Sequence, residues 1–436
     1  MTRRAVVVVV LLALTGVGAA FVYQTVTRDR AYRAYLARGD AALADDQTVG
    51  AIEAYSGAMA LRPDSMLAHL RRGETYQRRG DLEAAARDFR TAVALDPSAT
   101  RPLDELGDVL YQQHWFQRAA EAYDRCLRLD DRSARVAHKL ALARYHDGNL
   151  DGALAALAVV SRLTDRMAEA HYLEGLCLRE TGRPGEARRA LEKAIGIAPG
   201  LVAAREELAD LYGSTGRRGD EIAQLQVIAG LDRDHVERQV AVGLAQARAG
   251  RPELAILTLG STFERSPDQP IVYGAIGRIW LDIALTHPDR PDALAKAIEA
   301  LARVAPTNVA TSEILTTYGR ALLLSGQVDA AERALQQATE RYPLDVSAFL
   351  FYATAAEKQN HLEAARTALI SYGALVADDH QFVTRATRIA ALSSRMNDAK
   401  TAVEWLERAV AISPSDDTLR TALTEAQTKG RDRPVR

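Results

Sequence analysis

Residues 66–97 read MLAHLRRGETYQRRGDLEAAARDFRTAVALDP, and the architecture of the chain follows from them. Counting Met66 as position 1, Gly73 is at 8, Tyr76 at 11, Gly80 at 15, Ala85 at 20, Phe89 at 24, Ala92 at 27 and Pro97 at 32. In the first half Leu67, Leu70, Gly73, Thr75 and Tyr76 recur at helical spacing, not at the alternation of a strand. Gly80 suits the left-handed residue that ends a helix. Asp81 is then the expected N-cap of a second helix, with Glu83 in its positive first turn. Leu82, Ala85, Ala86, Phe89, Ala92 and Val93 form the apolar side of that helix. Pro97 holds Asp96 out of helical dihedrals and stops it. Gly73 and Ala85 allow close approach of the two helices, with Tyr76 and Phe89 filling the space around them. One such pair cannot bury its own apolar faces, so copies must stack.

The copies are present. The framework recurs from Ala31 onward, with Pro63 to Pro97 one period and Pro97 to Pro199 three more without a slip. The fourth copy is worn (Ala141, Gly148, Ala153, Leu157), whereas the ninth is clean (Gly319, Gly326, Ala331, Leu335, Ala338, Pro343). In the tenth and eleventh, Asn360 and Asn397 replace Gly at position 15, and Asn also tolerates the left-handed region. The eighth is irregular: Pro267 to Pro306 exceeds one period, and Thr286–Pro291 (THPDRP) interrupts it. Two prolines in so short a segment exclude a continuous helix. It reads as an enlarged turn, either a surface insertion or a joint between two sub-arrays.

The unit resembles the tetratricopeptide repeat, a 34-residue helix-turn-helix with small residues at positions 8 and 20 and Pro at 32. The resemblance covers about residues 31–416. It implies an all-α, right-handed superhelical solenoid of about eleven helix pairs, whose first helices line a concave groove for peptide segments or partner proteins. The expected organisation is an N-terminal segment 1–30, an array 31–285, the insertion 286–291, an array 292–416, a capping helix 417–428 and a disordered basic tail 429–436. The family's inward-facing positions, transferred to the third to fifth copies, single out Tyr111, His138, Leu142, Tyr145, Tyr172, Leu176 and Arg179. Aromatic residues and Arg are enriched at binding hot spots. The alternative is that these side chains only pack helix against helix. Position 5 is Leu, Asp, Glu or Tyr in most copies rather than Lys, so the basic clamp used by chaperone-binding members for acidic tails is not matched.

Ahead of the repeats, Ala5–Tyr23 (AVVVVVLLALTGVGAAFVY) carries no charge. As a helix it is roughly 28 Å long, about the hydrocarbon thickness of a bilayer. One transmembrane helix anchoring a membrane-bound scaffold is the first expectation for residues 5–23. A signal segment cleaved after Gly18-Ala19-Ala20, releasing a secreted or periplasmic peptide- or polysaccharide-binding protein, is the alternative. Arg3 and Arg4 precede the run and Arg28, Arg30 and Arg33 follow it, so the positive-inside rule is nearly balanced. The compact Arg-Arg start favours an extracytoplasmic repeat domain, in a bacterial cell-envelope assembly or regulatory setting.

The 436 residues carry a formal net charge of −2, which argues against electrostatic nucleic-acid binding. Cys126 and Cys177 fall at small, buried-type positions of copies two units apart, and are expected to be free thiols. No G-x-S-x-G, H-E-x-x-H, Walker loop or C-x-x-C occurs. His138 and His146 lie more than two helical turns apart, poor spacing for metal co-ligands. The expectation is a protein that is not an enzyme and uses no cofactor and no metal.

Overall fold

The computed structural model describes residues 3–232, 234–376 and 380–431; side chains at 3–13, 15, 18, 19, 430 and 431 lie outside the description. Among the described residues there are 23 helices and no strand. The chain divides into two compact units, Met1–Leu211 and Tyr212–Arg436.

Unit one begins with α1 (Arg3–Ala44) and α2 (Thr48–Leu61), then α3 (Met66–Arg79) and α4 (Leu82–Leu95). It continues with α5 (Thr100–Gln112), α6 (Phe116–Leu129), α7 (Ala134–His146) and α8 (Leu150–Leu163). Next come α9 (Ala168–Glu180) and α10 (Pro184–Ile197), and the division from unit two falls in α11 (Val202–Ser214). Unit two holds α12 (Arg218–Leu231), α13 (Val236–Arg248), α14 (Pro252–Arg265), α15 (Pro270–Thr286), α16 (Ala293–Val304) and α17 (Ser312–Leu324). It ends with α18 (Val328–Thr339), α19 (Ser347–Lys358), α20 (Leu362–Leu375), α21 (Phe382–Arg395), α22 (Ala399–Ile412) and α23 (Asp417–Arg431). Within each unit the short connections make successive helices antiparallel neighbours.

The framework positions do the steric work expected of them. A Cβ built on Gly73 would stand 2.7 Å from the Phe89 ring, and one on Gly107 would stand 2.4 Å from the Tyr123 ring. Gly175 meets Leu191, Gly243 meets Leu259 and Gly319 meets Leu335 in the same way. The position-24 side chain therefore lies directly on the position-8 backbone, and Phe89 is fully buried there. Outside the eighth copy, position 15 adopts φ > 0: +87° at Gly80, +61° at Asn360, +59° at Asn397 and even +60° at His114.

Some local expectations need correction. Asp81 occupies the N-cap of α4 but its side chain makes no capping bond. Its carboxylate accepts instead from Arg79 Nε at 2.7 Å. Capping falls to residues in other connections: Ser65 accepts from the Ala68 N–H, and Ser133 and Asn149 act alike on α7 and α8. In the eighth copy the enlargement is partly helical. No Gly or Asn follows Trp280 to accept a left-handed turn, so α15 runs 17 residues to Thr286, where His287 is held extended before Pro288. Gly277 consequently meets Leu301, further along the chain than the partners of the other position-8 glycines above. The loop folds back so that Arg290 and Lys296 lie over the Trp280 ring, 5.5 and 4.4 Å from its centre.

The boundary expected at residue 30 falls inside a helix: α1 is one continuous element of 42 residues. Asp29 pairs with Arg33 and, across to the end of α2, with Arg62. The Arg62 guanidinium covers the Tyr32 ring at 4.7 Å, and the Tyr32 hydroxyl shares a 2.6 Å hydrogen bond with Ser65. The expected transmembrane helix at residues 5–23 rests largely on side chains outside the description. Among the described residues no helix is long and apolar enough to cross a membrane. At the other end, α23 packs Leu419 and Ala426 into the core that contains Trp405 and Leu406. Most of the tail, residues 432–436, lies outside the described residues.

Candidate functional site

The seven residues singled out lie on α5, α7 and α9, the first helices of three consecutive copies in unit one. On α7, His138, Leu142 and Tyr145 are spaced four and three apart and share one face; on α9, Tyr172, Leu176 and Arg179 do the same. Tyr111, Leu142, Tyr145 and Leu176 pack half-buried against the core of the unit.

The structure joins Tyr111 and Tyr145 through a residue that the sequence reading left out. His146 meets both rings edge-on, at 5.7 and 5.4 Å between centres. It also stacks on Phe116 at 5.1 Å, and Phe116 meets Tyr111 edge-on at 5.3 Å. The signal was present as Gln113-His114-Trp115-Phe116, an aromatic run where other copies place Gly and polar residues. Tyr145 donates its hydroxyl to Glu180 Oε1 at 2.6 Å. Burial, and then this carboxylate, pushes the Tyr145 phenol up to about 12. Burial also raises the phenols of Tyr111 and Tyr172.

Arg179 is exposed and ion-paired with Glu207 of α11. His138 stands apart from the ring cluster. Burial lowers its pKa, with Glu169 opposing the shift, and its Nε2 is shielded from solvent without a hydrogen-bond partner. The structure thus gathers Tyr111 and Tyr145 into one aromatic cluster, continues it to Glu180, and sets His138, Tyr172 and Arg179 alongside on the same helices.

The same helices α5 and α7 also carry charged side chains, at positions of the repeat that the site itself uses. Lys139 bridges Asp104 at 2.9 Å and Asp108 at 2.5 Å, and Arg135 also reaches Asp104. The Tyr123 hydroxyl donates to Asp108 at 2.6 Å, as Tyr55 does to Asp40 at 2.7 Å two copies earlier. Beside them burial, then Asp108 and Glu74, raises the Glu105 carboxyl. These cations and carboxylates neutralise one another across adjacent copies and fix their register. Cys126 and Cys177 are free and buried, and burial pushes each thiol up to about 11. Among the described residues no group of His, Cys, Asp or Glu is arranged to hold a metal ion. What the α5–α7–α9 helices offer is ring faces, aliphatic surface and, between α5 and α7, a set of mutually paired cations and carboxylates.

Two family models described as Tetratricopeptide repeat match the chain, one at residues 105–165 and 317–379 and the other at 66–99 and 168–201. No curated protein is a significant match. Among solved structures the chain is similar to a crystal structure of the MamA protein, with 23% identity over 39% of this chain and 94% of that one (TM-score 0.38). It is similar to PilF of Pseudomonas aeruginosa, with 20% identity over 48% and 96% of the two chains (TM-score 0.38). It is also similar to YrrB, described as a tetratricopeptide-repeat protein with an unusual peptide-binding site, with 19% identity over 44% and 98% (TM-score 0.37). Each unit is all-α and built of successive helix pairs, and at residues 66–99, 105–165, 168–201 and 317–379 those pairs match the tetratricopeptide-repeat models.

Proposed function

We propose that this protein is a non-enzymatic scaffold that captures an extended peptide segment of a partner on the α5–α7–α9 face, while residues 5–23 anchor it to a membrane. The observation that carries the capture reading is the half-buried ring cluster that contains Tyr111 and Tyr145, with Tyr172 and the unpartnered Nε2 of His138 on the same set of first helices. Groups already withdrawn from water lose little further solvation on binding, and rigid rings give contact area at small entropic cost. Selection of a random peptide display library on the purified full chain tests this. Recurrent sequences should emerge with the natural protein and vanish with Tyr145→Ala/Tyr172→Ala at unchanged helicity. The same sequences selected by the variant would overturn the assignment.

The anchoring reading rests on the uncharged run Ala5–Tyr23, which lies in the same helix as the start of the first repeat. The repeats then lie on the extracytoplasmic side, in cell-envelope assembly or regulation. Alkaline extraction and protease access from outside test both points. Retention in membranes with digestible repeats is expected. A soluble form beginning near Phe21 would replace the anchor by a cleaved signal and make this a released peptide- or polysaccharide-binding protein.

A further inference from the structure

Within unit two, the second helices of the ninth and tenth copies enclose a cavity of about 690 Å³, a volume typical of a ligand site. Its walls are α18 and α20, and its floor is Phe349 and Tyr352 of α19, both half-buried. It stands open because α20 carries short side chains at two positions. Position 22 is Arg87, Glu121, Arg189, Arg333 and Glu404 in α4, α6, α10, α18 and α22, but Thr367 in α20. Position 26 is Arg125, Lys193 and Arg408 in α6, α10 and α22, but Ser371 in α20. Thr367 and Ser371 both line the cavity.

The lining carries one sign of charge. Glu340 of α18 and Glu363 of α20 stand exposed at the rim, and neither has an ion-pair partner among the described residues. Behind them Glu332 pairs with His361 at 2.7 Å. Even with His361 counted as an imidazolium that cancels Glu332, Glu340 and Glu363 leave the rim negative. Among the described residues no Lys or Arg lines the cavity. The cations nearby are turned elsewhere: Arg366 to Asp398 at 2.7 Å, and Arg341 to the Asn308 carbonyl at 3.3 Å. Arg333 holds the position of Thr367 one copy earlier, so the repeat turns it towards α16. Lys358 lies about 180° round α19 from Phe349. Thr339 spends its hydroxyl proton on the Gln336 carbonyl at 2.7 Å, and so offers the cavity lone pairs only. Burial, then Glu332 and Glu340, raises the Tyr352 phenol, in keeping with negative surroundings.

Ring faces beneath carboxylates attract a cation through the ring quadrupole as well as through charge. We propose that this cavity binds an organic cation, a protonated amine or a guanidinium on an aliphatic stem, with the stem against Phe349 and Tyr352 and the charged head towards Glu340 and Glu363. An anion would meet unpaired carboxylates there, and a neutral ligand would leave them unused. The site lies on second helices of unit two and does not depend on the reading of the α5–α7–α9 face.

The test titrates the full chain with N-acetyl-lysine methylamide, N-acetyl-arginine methylamide and free 1,5-diaminopentane, with N-acetyl-norleucine methylamide as the uncharged match, and reads saturation-transfer NMR. The cations should bind at least about fivefold more tightly than the norleucine probe, the scale of two exposed ion pairs. Preference for the blocked amino acids assigns the cation to a side chain of a polypeptide; preference for the diamine assigns it to a free amine. Glu340→Gln/Glu363→Gln should remove the advantage of the cations. Thr367→Arg installs the side chain that α4, α10 and α18 already carry at this position, so the fold accepts it; it should abolish binding while leaving peptide selection by the Tyr145–Tyr172 face unchanged. Equal binding of the lysine and norleucine probes, binding that survives Thr367→Arg, or no saturable binding of any cation up to about 10 mM would overturn the proposal.

Discussion

Replacing Gly107 by Ala probes the contact that sets the spacing of every helix pair. The added methyl would stand 2.4 Å from Tyr123 Cε1, 2.6 Å from Cδ1 and 2.8 Å from Cζ. Comfortable carbon–carbon contact starts near ~3.5 Å, so the ring must retreat by about 1 Å. It has little room to do so, being 2% exposed with its hydroxyl held by Asp108 at 2.6 Å. Overpacking of this kind costs about 1–3 kcal/mol, against which Ala gains up to ~1 kcal/mol over Gly in a helix. A net loss of about 1–2 kcal/mol in the local stability of α5 and α6 is expected. The fourth copy shows how the strain is relieved: it has Ala141 at position 8 and Leu157 at position 24, both buried. In a Tyr123→Leu background Gly107→Ala should therefore cost less, leaving a coupling of at least ~0.5 kcal/mol between the two positions. Long arrays unfold in segments, so the readout is amide exchange of α5 and α6 rather than a single melting curve. A neutral or stabilising Gly107→Ala, or an identical cost in both backgrounds, would refute the account of positions 8 and 24.

Other expectations follow from the same geometry. Gly326 sits at φ +82°, so Gly326→Ala should destabilise the α17–α18 pair by about 1 kcal/mol, whereas Gly326→Asn should be tolerated, as Asn360 and Asn397 are; amide exchange separates the two. With their thiols raised to about 11 by burial, Cys126 and Cys177 should resist a disulfide reagent at pH 8 and react at once on unfolding. The Tyr145 phenol, ordinarily near 10, is raised to about 12 in the folded chain. The linked stability is therefore fully present below pH 10 and lost as pH rises through 12, and ultraviolet titration of Tyr145→Phe against the natural chain should show it. The His138 imidazole is lowered by burial, so its contribution is present above the unfolded value near 6.5 and is lost as pH falls below it; proton resonance titration reads this directly.

The repeats were legible because three kinds of position have no chemical alternative. Position 15 needs φ > 0, position 8 must be small, and position 24 must fill the space above it, so Gly80, Gly73 and Phe89 announce one copy and their recurrence announces the rest. Capping was less legible, because Asp81 had the right chemistry and place but Arg79 competes for the same carboxylate. The helical extension in the eighth copy was hidden because its prolines mark where a helix must end and say nothing of how far it runs first. At the candidate site, counting positions located Tyr111 and Tyr145, but His146 was missed. Its role depends on Phe116, which reaches it from the start of the preceding helix, and a contact between elements leaves no periodic trace in the chain.

The unbroken α1 has a mechanical meaning. A hydrogen-bonded helix transmits rotation as well as position, each residue advancing the azimuth by about 100°. Since α1 runs from Arg3 to Ala44 without a joint, and Asp29 and Tyr32 clasp it to the end of α2, residues 5–23 and the first repeat share one angular register. Inserting two residues after Phe21 would turn the apolar run by about 200° relative to the repeats, whereas four would nearly restore it. The segment behaves as a shaft rather than a tether. Whatever surface grips residues 5–23 therefore also dictates the direction in which the first helix pair faces.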